Sequence, residues 1–515
     1  MKKEIKKLIE KASETKAGDF VIEIPADKSH GDYSTNVAMV LAKKLGKNPR
    51  EVAEEIKAKI KPDLFSKIEV AGPGFINFFI SETHLKKQLK NVLKKKNKFG
   101  NLKIGKNEKV NIEFISANPT GPLTLGNGRG GFGGDALANV LNKAGYKVTR
   151  EYYINDTGNQ IKKLGHSVLG DEEAVYKGEY ILKLKSKIKD SDPEKVGEKA
   201  SKEILEKMIK PSVKKMGIKF DVWFSEKGLY KKGEVDKAIT ELTKKGFTYE
   251  SEGALWFKSK DIGDDKDRVL VRADGIKTYF ASDIAYLKNK FKRRFKKLIM
   301  FLGADHYGYM PRLKASSVAL GYKKESIDDV VMQLVRLFEN GKEVRMSKRT
   351  GIYVTIDELI DEVGLDVARF FFLMISSNTH MNFNLDLARE RSEENPVFKI
   401  QYAYARMSAI LRKAKKIKIL NPDLKLLVEP SEIELIKELV RLPEIIEDTA
   451  KDYQTQRLPQ YAMELADAFH KFYENCIVIS DAKGLTKARL ALVIASKIVL
   501  KNTLDLMGVS APEKM

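Results

Sequence analysis

The apolar positions along the chain change period several times, and each change predicts a new element. The opening residues, "MKKEIKKLIEKASE", carry an amphipathic helical pattern, and "VIEIPADKSHGDYSTNVAMVLAKKLG" reads as a strand followed by a helix. In "IEVAGPGFINFFIS" Ile76, Phe78 and Ile80 alternate as on a half-buried strand. The Lys/Asn/Gly-rich stretch "KKKNKFGNLKIGKNEK" has no period and predicts a linker, with a boundary near residue 105. Beyond it Val110, Ile112 and Phe114 alternate, a glycine-rich segment follows, and Leu137, Val140, Leu141 and Ala144 form a helical stripe stopped by Gly145. "KVTREYYI" is the next strand. Strand, helix and strand in this order predict a β-α-β unit, hence a parallel sheet with ligands at the carboxyl ends of its strands.

A second unit follows: "KLIMFL" as a buried strand, "GADHYGYMP" as a loop, "RLKASSVALG" as a helix and "DVVMQLVRLF" as another strand. Residues 160–255 between the units are Lys/Glu-rich and largely helical in pattern, as expected of an insertion. From about residue 389 the pattern is helical. Ser431 and Glu434 predict a capping box ahead of Ile433, Ile436 and Val440, and Leu465, Phe469, Phe472 and Cys476 mark one face of a later helix. The expected architecture is α/β: a Rossmann-type, doubly wound parallel-sheet domain at 106–388, preceded by an α+β domain at 1–105 and followed by an all-α bundle at 389–515.

Composition supports this and narrows the partners. The chain has 515 residues, 43% of them hydrophobic, enough for packed cores in about three domains. Lys and Arg number 94 against 71 Asp and Glu, a net charge of +23, which points either to a polyanionic partner or to a charged, heat-adapted surface. The single cysteine, Cys476, excludes an intramolecular disulfide framework and a C-x-x-C zinc site, so no protein-bound metal is expected and a reducing compartment fits. The densest apolar runs, "FFFLMIS" and "LALVIAS", fall far short of the roughly 20 residues that cross a bilayer, so a soluble cytoplasmic protein is expected.

In "SANPTGPLTLGNGRGGFGGDAL" Gly126, Gly128 and Gly131 match the dinucleotide fingerprint G-x-G-x-x-G, with Glu151 about where a ribose-binding acid belongs. That fingerprint must begin directly after its strand, and here Ser116 to Leu125 intervene, so a redox enzyme is disfavoured. Glycines that only permit close helix–strand packing are another reading. A third combines the "T-L-G-N" tetrapeptide at the helix start with "VRMSKRTG" after the last strand of the second unit. The pair resembles the two ATP-binding signatures of class I aminoacyl-tRNA synthetases.

The resemblance sharpens to the arginyl-tRNA synthetase family through "EIPADKSHGDYSTNVAM", "AGPGFINF", "SANPTGPL", "YINDTGNQ", "YKGEYI", "FDVWFSE", "GALWF", "LVRADGIKTYFASDIAY", "GADHYGYMPRLKA", "RLFENGKEVRMSKRTG", "NPVFKIQYAYAR" and the ending "GVSAP", which occur in that family's order over nearly the whole chain. It implies ATP-dependent attachment of L-arginine to tRNA(Arg) through an arginyl-adenylate, with Mg²⁺ accompanying the nucleotide, by a monomer. Residues 1–105 would bind the tRNA elbow and 389–515 the anticodon.

The resemblance also assigns residues. Tyr279, Asp283 and Glu226 would take the arginine side chain, Ser116 and Asn118 its α-amino end, and His306 would touch arginine or ATP. Gly126, Gly128, Met346, Ser347 and Lys348 would bind ATP, and Lys348, Thr124 and Asn127 would act in catalysis. Phe75 and Asn77 would read a D-loop base, while Gln401, Tyr402, Arg406 and Met515 would lie at the anticodon end. One departure matters: the family's first signature usually reads H-x-G-H, and Thr124, Leu125, Gly126 and Asn127 stand there, so neither imidazole is present. Arg345 opens the second signature and keeps the charge of the usual lysine. A catalytically silent, RNA-binding relative is the alternative this departure raises.

Overall fold

The computed structural model describes residues 1–14, 20–344 and 355–515, with the side chains of Pro62 and residues 305–307 excepted. Strands β1 (Ile22–Glu23), β2 (Tyr33–Thr35), β3 (Phe65–Ala71) and β4 (Phe75–Ile80) form an antiparallel sheet in the order β1-β2-β4-β3. Ile76, Phe78 and Ile80 are buried on one face of β4, as their alternation predicts.

The central sheet is parallel. Among the described residues it comprises β5 (Lys109–Glu113), β6 (Lys147–Ile154) and β7 (Val222–Ser225) on one side. A three-stranded antiparallel sheet, β8 (Thr248–Ser251), β9 (Ala254–Phe257) and β10 (Arg268–Val271), comes next in the chain. Strands β11 (Lys297–Gly303) and β12 (Ile327–Met332) then complete the central sheet in the order β12-β11-β5-β6-β7. Residues 160–255 are therefore not one helical insertion, since β7 returns to the central sheet in the middle of them.

The run "DVVMQLVRLF" also proves to be two strands. β12 ends at Met332, and β13 (Val335–Glu339) joins a different sheet with β14 (Lys342–Val344) and β15 (Met381–Asn384). The break falls at Gln333 and Leu334: the Gln333 carbonyl accepts from the Arg129 guanidinium at 2.7 Å, while the Leu334 carbonyl accepts from Met381 N–H at 3.0 Å and lies 3.4 Å from the same guanidinium. "GADHYGYMP" begins as a 3₁₀ turn, Ala304–Tyr309, rather than an open loop.

The C-terminal part is helical, and Leu465, Phe469 and Phe472 are fully buried on the helix Arg457–Asn475, with Cys476 buried just beyond it. The capping box expected at Ser431 and Glu434 lies two residues earlier. The helix begins at Pro430, so Glu429 is the cap and Glu432 Oε2 accepts from its N–H at 2.9 Å. Proline at the first helical position, where no N–H is required, sets that start.

The glycine-rich segment is neither a loop nor a turn: it lies inside the helix Leu125–Lys143. Glycine in a helix interior costs about 1 kcal/mol relative to alanine, so several together need a packing reason. A Cβ on Gly128 would lie 2.5 Å from Cδ1 of Ile356, one on Gly130 2.7 Å from Cε of Met332, and one on Gly131 2.5 Å from Cε of Met216. On Gly134 it would overlap the ring of Phe114. Gly126 differs, its nearest neighbour being Thr124 Oγ1 at 3.7 Å, so its surface is open.

Gly134→Ala should therefore destabilise the fold by about 1–3 kcal/mol through overpacking, while Gly126→Ala should leave the melting temperature unchanged or slightly raised. Thermal unfolding of the two variants checks this, and equal effects would contradict the packing account.

Candidate active site

Strand order reverses between β5 and β11, with β6 and β7 on one side and β12 on the other. Such a switch point opens a crevice beyond the carboxyl ends of the strands, and ligands bind there in open α/β sheets. After β5 the chain turns sharply, and Ile115 and Ser116 both take left-handed φ values, 66° and 41°. For a β-branched residue this is an outlier worth about 1–3 kcal/mol of strain, and such strain gathers at functional sites. Hydrogen bonds hold it: Ser116 N–H donates to Phe114 O at 2.9 Å, while its Oγ accepts from Tyr153 N–H at 3.1 Å and donates to Glu113 Oε1 at 3.2 Å. Two residues on, Asn118 Nδ2 donates to Gln160 Oε1 at 2.5 Å.

The acidic side of the crevice is built from three further segments. Glu226 starts the helix Glu226–Lys231 and is 1% exposed. Ser282 Oγ donates to its Oε1 at 2.6 Å, and the Asn155 amide nitrogen to its Oε2 at 2.8 Å. Asp156 steadies that helix start, accepting from Ser225 Oγ at 2.6 Å and from Lys227 N–H at 2.8 Å. Tyr279 and Asp283 lie one turn apart on the helix Tyr279–Lys292, as their spacing predicts. The Tyr279 ring is 47% exposed, and Gly158 at φ +79° leaves it room, since a Cβ there would come within 3.1 Å of its hydroxyl.

Charge in this pocket is unbalanced. Burial pushes the Asp283 carboxyl well above its ordinary range, and the neighbouring Glu226 and Glu113 push it further. Glu226 is raised as well, chiefly by burial. Of the nearby cations, Lys290 Nζ sits 2.5 Å from Glu113 and Arg293 grips Glu151 with two nitrogens at 2.5 and 2.8 Å, while the Arg312 guanidinium acts on Asp283 from beyond ion-pair distance and offsets part of that upward push. Among the described residues neither Glu226 nor Asp283 forms an ion pair. A buried and a half-buried carboxylate, neither in an ion pair, favour binding a cation, and a planar guanidinium fork suits them. Glu151 is fully buried under the sheet in that pair, so it offers nothing to a ribose, and the dinucleotide reading loses its acid.

The other side of the crevice is marked by the start of the glycine-bearing helix. Thr124 is its cap, and with Asn127 it forms a reciprocal box: Thr124 N–H and Oγ1 both donate to Asn127 Oδ1 at 2.9 Å, and Asn127 N–H returns to Thr124 Oγ1 at 3.4 Å. The helix N-terminus favours anions, and Gly126 exposes its backbone there. Gly128, expected at the nucleotide, is buried against Ile356 instead. Ile356 N–H also donates to Leu123 O at 3.1 Å, so the chain re-enters beside the first signature directly after residues 345–354. Arg345, Met346, Ser347 and Lys348 themselves lie outside the described residues, as does the side chain of His306.

The residues expected at tRNA fall into two groups. Phe75 is half-buried, while Asn77 is only 3% exposed and its Oδ1 accepts from Ser34 Oγ at 2.7 Å. Arg406 lies over the rings of Tyr402 and Tyr473, at 4.7 and 4.6 Å, and Tyr402 stacks on His470. Gln401 binds Asp366 and Ser510, tying the C-terminal tail to the central domain, and Met515 is exposed. Sequence reasoning missed Glu113, Asn155, Asp156 and Ser282. Only Glu113 carried a signal of its own, as a charged residue inside the alternation of Val110, Ile112 and Phe114 at the end of a central strand. The others support the pocket from distant segments.

Comparison with known proteins agrees with this geometry. Family models for the arginyl tRNA synthetase N-terminal domain match residues 1–80, for the class I (R) tRNA synthetase catalytic domain residues 88–170 and 163–381, and for the DALR anticodon binding domain residues 400–515. Among curated proteins, an arginine–tRNA ligase of Moorella thermoacetica is 46% identical over 527 residues, covering 96% of this chain and 94% of that one. One of Bacillus licheniformis is 45% identical, covering 100% and 98%. Among solved structures, the Thermus thermophilus arginyl-tRNA synthetase covers both chains fully with a TM-score of 0.80 at 22% identity, a likeness of fold. With the acidic crevice, the capped glycine helix and three successive domain matches in agreement, the chain belongs to the arginyl-tRNA synthetase family.

Proposed function

We propose that this chain attaches L-arginine to tRNA(Arg) at the expense of ATP, through an arginyl-adenylate, with release of pyrophosphate and then AMP. The observation that carries this is the pair of carboxylates without an ion-pair partner among the described residues, buried Glu226 and half-buried Asp283, beside the exposed Tyr279. A catalytically silent, RNA-binding relative is not favoured, because the curated relatives are named as ligases.

On this reading Asp283 and Glu226 receive the guanidinium, Tyr279 packs on its face, and Ser116 and Asn118 hold the α-amino end. An oxygen of the arginine carboxylate attacks the α-phosphorus in line, and the bond to the bridging oxygen of pyrophosphate breaks. The terminal ribose 2′-OH of tRNA then attacks the activated carbonyl, and AMP leaves. Positioning and charge neutralisation carry such steps, so no covalent nucleophile on the enzyme is required. Thr124, Gly126 and Asn127 cradle the nucleotide with the helix N-terminus, and the capping box uses only Oδ1 of Asn127, which keeps its Nδ2 for a ligand. Lys348, with Met346 and Ser347, meets the leaving pyrophosphate, and His306 contacts arginine or ATP. Mg²⁺ arriving on the ATP phosphates would supply charge neutralisation there.

Residues 1–105 with Phe75 and Asn77, and residues 389–515 with Gln401, Tyr402, Arg406 and Met515, hold the elbow and anticodon of tRNA. For Asn77 this requires local opening of its contact with Ser34. Among the described residues no helix is long and apolar enough to cross a membrane, and a cytoplasmic monomer fits this activity.

Charging of total tRNA with labelled arginine tests the proposal. Asp283→Asn should raise the KM for arginine about 10–100-fold, the weight of a charge-assisted hydrogen bond, with the KM for ATP little changed. Thr124→Ala with Asn127→Ala should lower the rate of activation roughly tenfold. A rate unchanged by the double substitution would remove both residues from the chemistry.

The raised carboxyls also fix a pH dependence. Because Glu226 and Asp283 bind protons more tightly in the folded state, their contribution to stability is fully present below the ordinary values of 4.5 and 3.8 and is lost as pH rises through the higher folded values. Bound guanidinium reverses this by favouring both ionised forms. Arginine should therefore raise the melting temperature more at neutral than at mildly acidic pH and release protons on binding, read by calorimetry in two buffers of different ionisation enthalpy. An arginine-induced shift independent of pH would exclude the pair as the binding group.

A further inference from the structure

Two buried cations around the central sheet meet carboxylates, Lys290 with Glu113 and Arg369 with Asp135, and half-buried Arg293 meets Glu151. Among the described residues Arg129 meets none. It lies on the signature helix, Leu125–Lys143, five residues past the cap Thr124, and is 4% exposed. One terminal nitrogen donates to Gln333 O at 2.7 Å and reaches Leu334 O at 3.4 Å, and the other donates to Ser376 O and Thr379 O, each at 2.7 Å. Its Nε is buried without a partner. Burial lowers its pKa to about 10, so the guanidinium sits here against its own solvation. Only a planar fork of donors reaches four acceptors at once.

The four carbonyls belong to segments that lead to the nucleotide site. Gln333 and Leu334 form the break between β12 and β13, and the β13–β14 hairpin ends at Val344, directly before the residues that carry Met346, Ser347 and Lys348. Ser376 and Thr379 belong to the turn ahead of β15, which pairs in parallel with β13. That turn reaches the C-terminal bundle as well: Ser376 Oγ donates to Gln454 Oε1 at 2.9 Å, between the helices Leu442–Asp452 and Arg457–Asn475.

We propose that Arg129 is a positioning residue which fixes the helix of the first ATP-binding signature on the strand break between β12 and β13 and, through Ser376 and Gln454, links that geometry to the C-terminal bundle. The inference rests on the ATP half of the function proposed above. Arg129 touches no substrate in it. It holds the first signature's helix on the strand break from which the second signature departs.

The test is ATP binding to the full chain by calorimetry, read without arginine, with arginine binding measured separately and a melting curve for each variant. Arg129→Lys, which keeps the charge but cannot span the four carbonyls, should weaken ATP binding about tenfold while arginine affinity stays within about twofold. Gln454→Ala, far from either substrate, should weaken ATP binding about two- to threefold in the same selective way. Equal losses for both ligands, or a lowered melting temperature with both affinities intact, would overturn the proposal. If Arg129→Lys fails to fold, Ser376→Ala and Gln454→Ala decide, and unchanged ATP affinity in both would overturn it. A wild-type chain that binds ATP but not arginine would sink the arginine reading alone, and the ATP comparison would still decide this one.

Discussion

The structure depends on one helix that can be approached from several sides because much of its surface has no side chains. Leu125–Lys143 carries glycines where Ile356, Met332, Met216 and Phe114 press against it, so strand ends, the helix before β7 and a later helix all pack closely on it. Isolated, such a sequence would be a poor helix, and its stability comes from what surrounds it. Two arginines complete the arrangement. Arg369 joins Asp135 on this helix to the carbonyls of Met216 and Met507, drawing the insertion and the C-terminal bundle to one point. Arg129 does the same for the strand break at Gln333.

That convergence leaves the N-terminus of the helix, with its open Gly126 and its Thr124–Asn127 box, facing the crevice at the switch point of the sheet. Across from it the acids are deliberately unequal in their company. Glu113 and Glu151 are neutralised by Lys290 and Arg293, whereas Glu226 is held by a hydroxyl and an amide that add no charge, and Asp283 forms no ion pair among the described residues. The pocket thus keeps two carboxylates outside any ion pair among the described residues, and the exposed Tyr279 gives it a flat surface. The Thr124–Asn127 box orders the helix start without the imidazoles usual in the first signature.

Much of this was legible in the sequence, and the losses have physical causes. The alternations of Ile76 to Ile80 and Val110 to Phe114, the stop at Gly145 and the one-turn spacing of Tyr279 and Asp283 are local properties and survive folding. The strand break at Gln333 is not local, because an arginine 204 residues away makes it. Nor could periodicity show that the glycines lie inside a helix, since glycine's own preference argues against one. The return of β7 to the central sheet hides in a Lys/Glu-rich span for a similar reason: a four-residue strand at a sheet edge is too short to impose a pattern. At the site, the residues in direct line with a ligand were named from family resemblance, while Asp156, Asn155 and Ser282 emerge only when three segments meet around Glu226.

The central claim is that this crevice activates arginine and selects it by charge. Amino-acid-dependent exchange of pyrophosphate into ATP, in the presence of total tRNA, tests it most directly when arginine is compared with lysine and with citrulline, the neutral analogue of the same shape. Exchange with arginine alone is the predicted result. Exchange with citrulline at a comparable rate, or none with any of the three despite tight tRNA binding, would contradict the account.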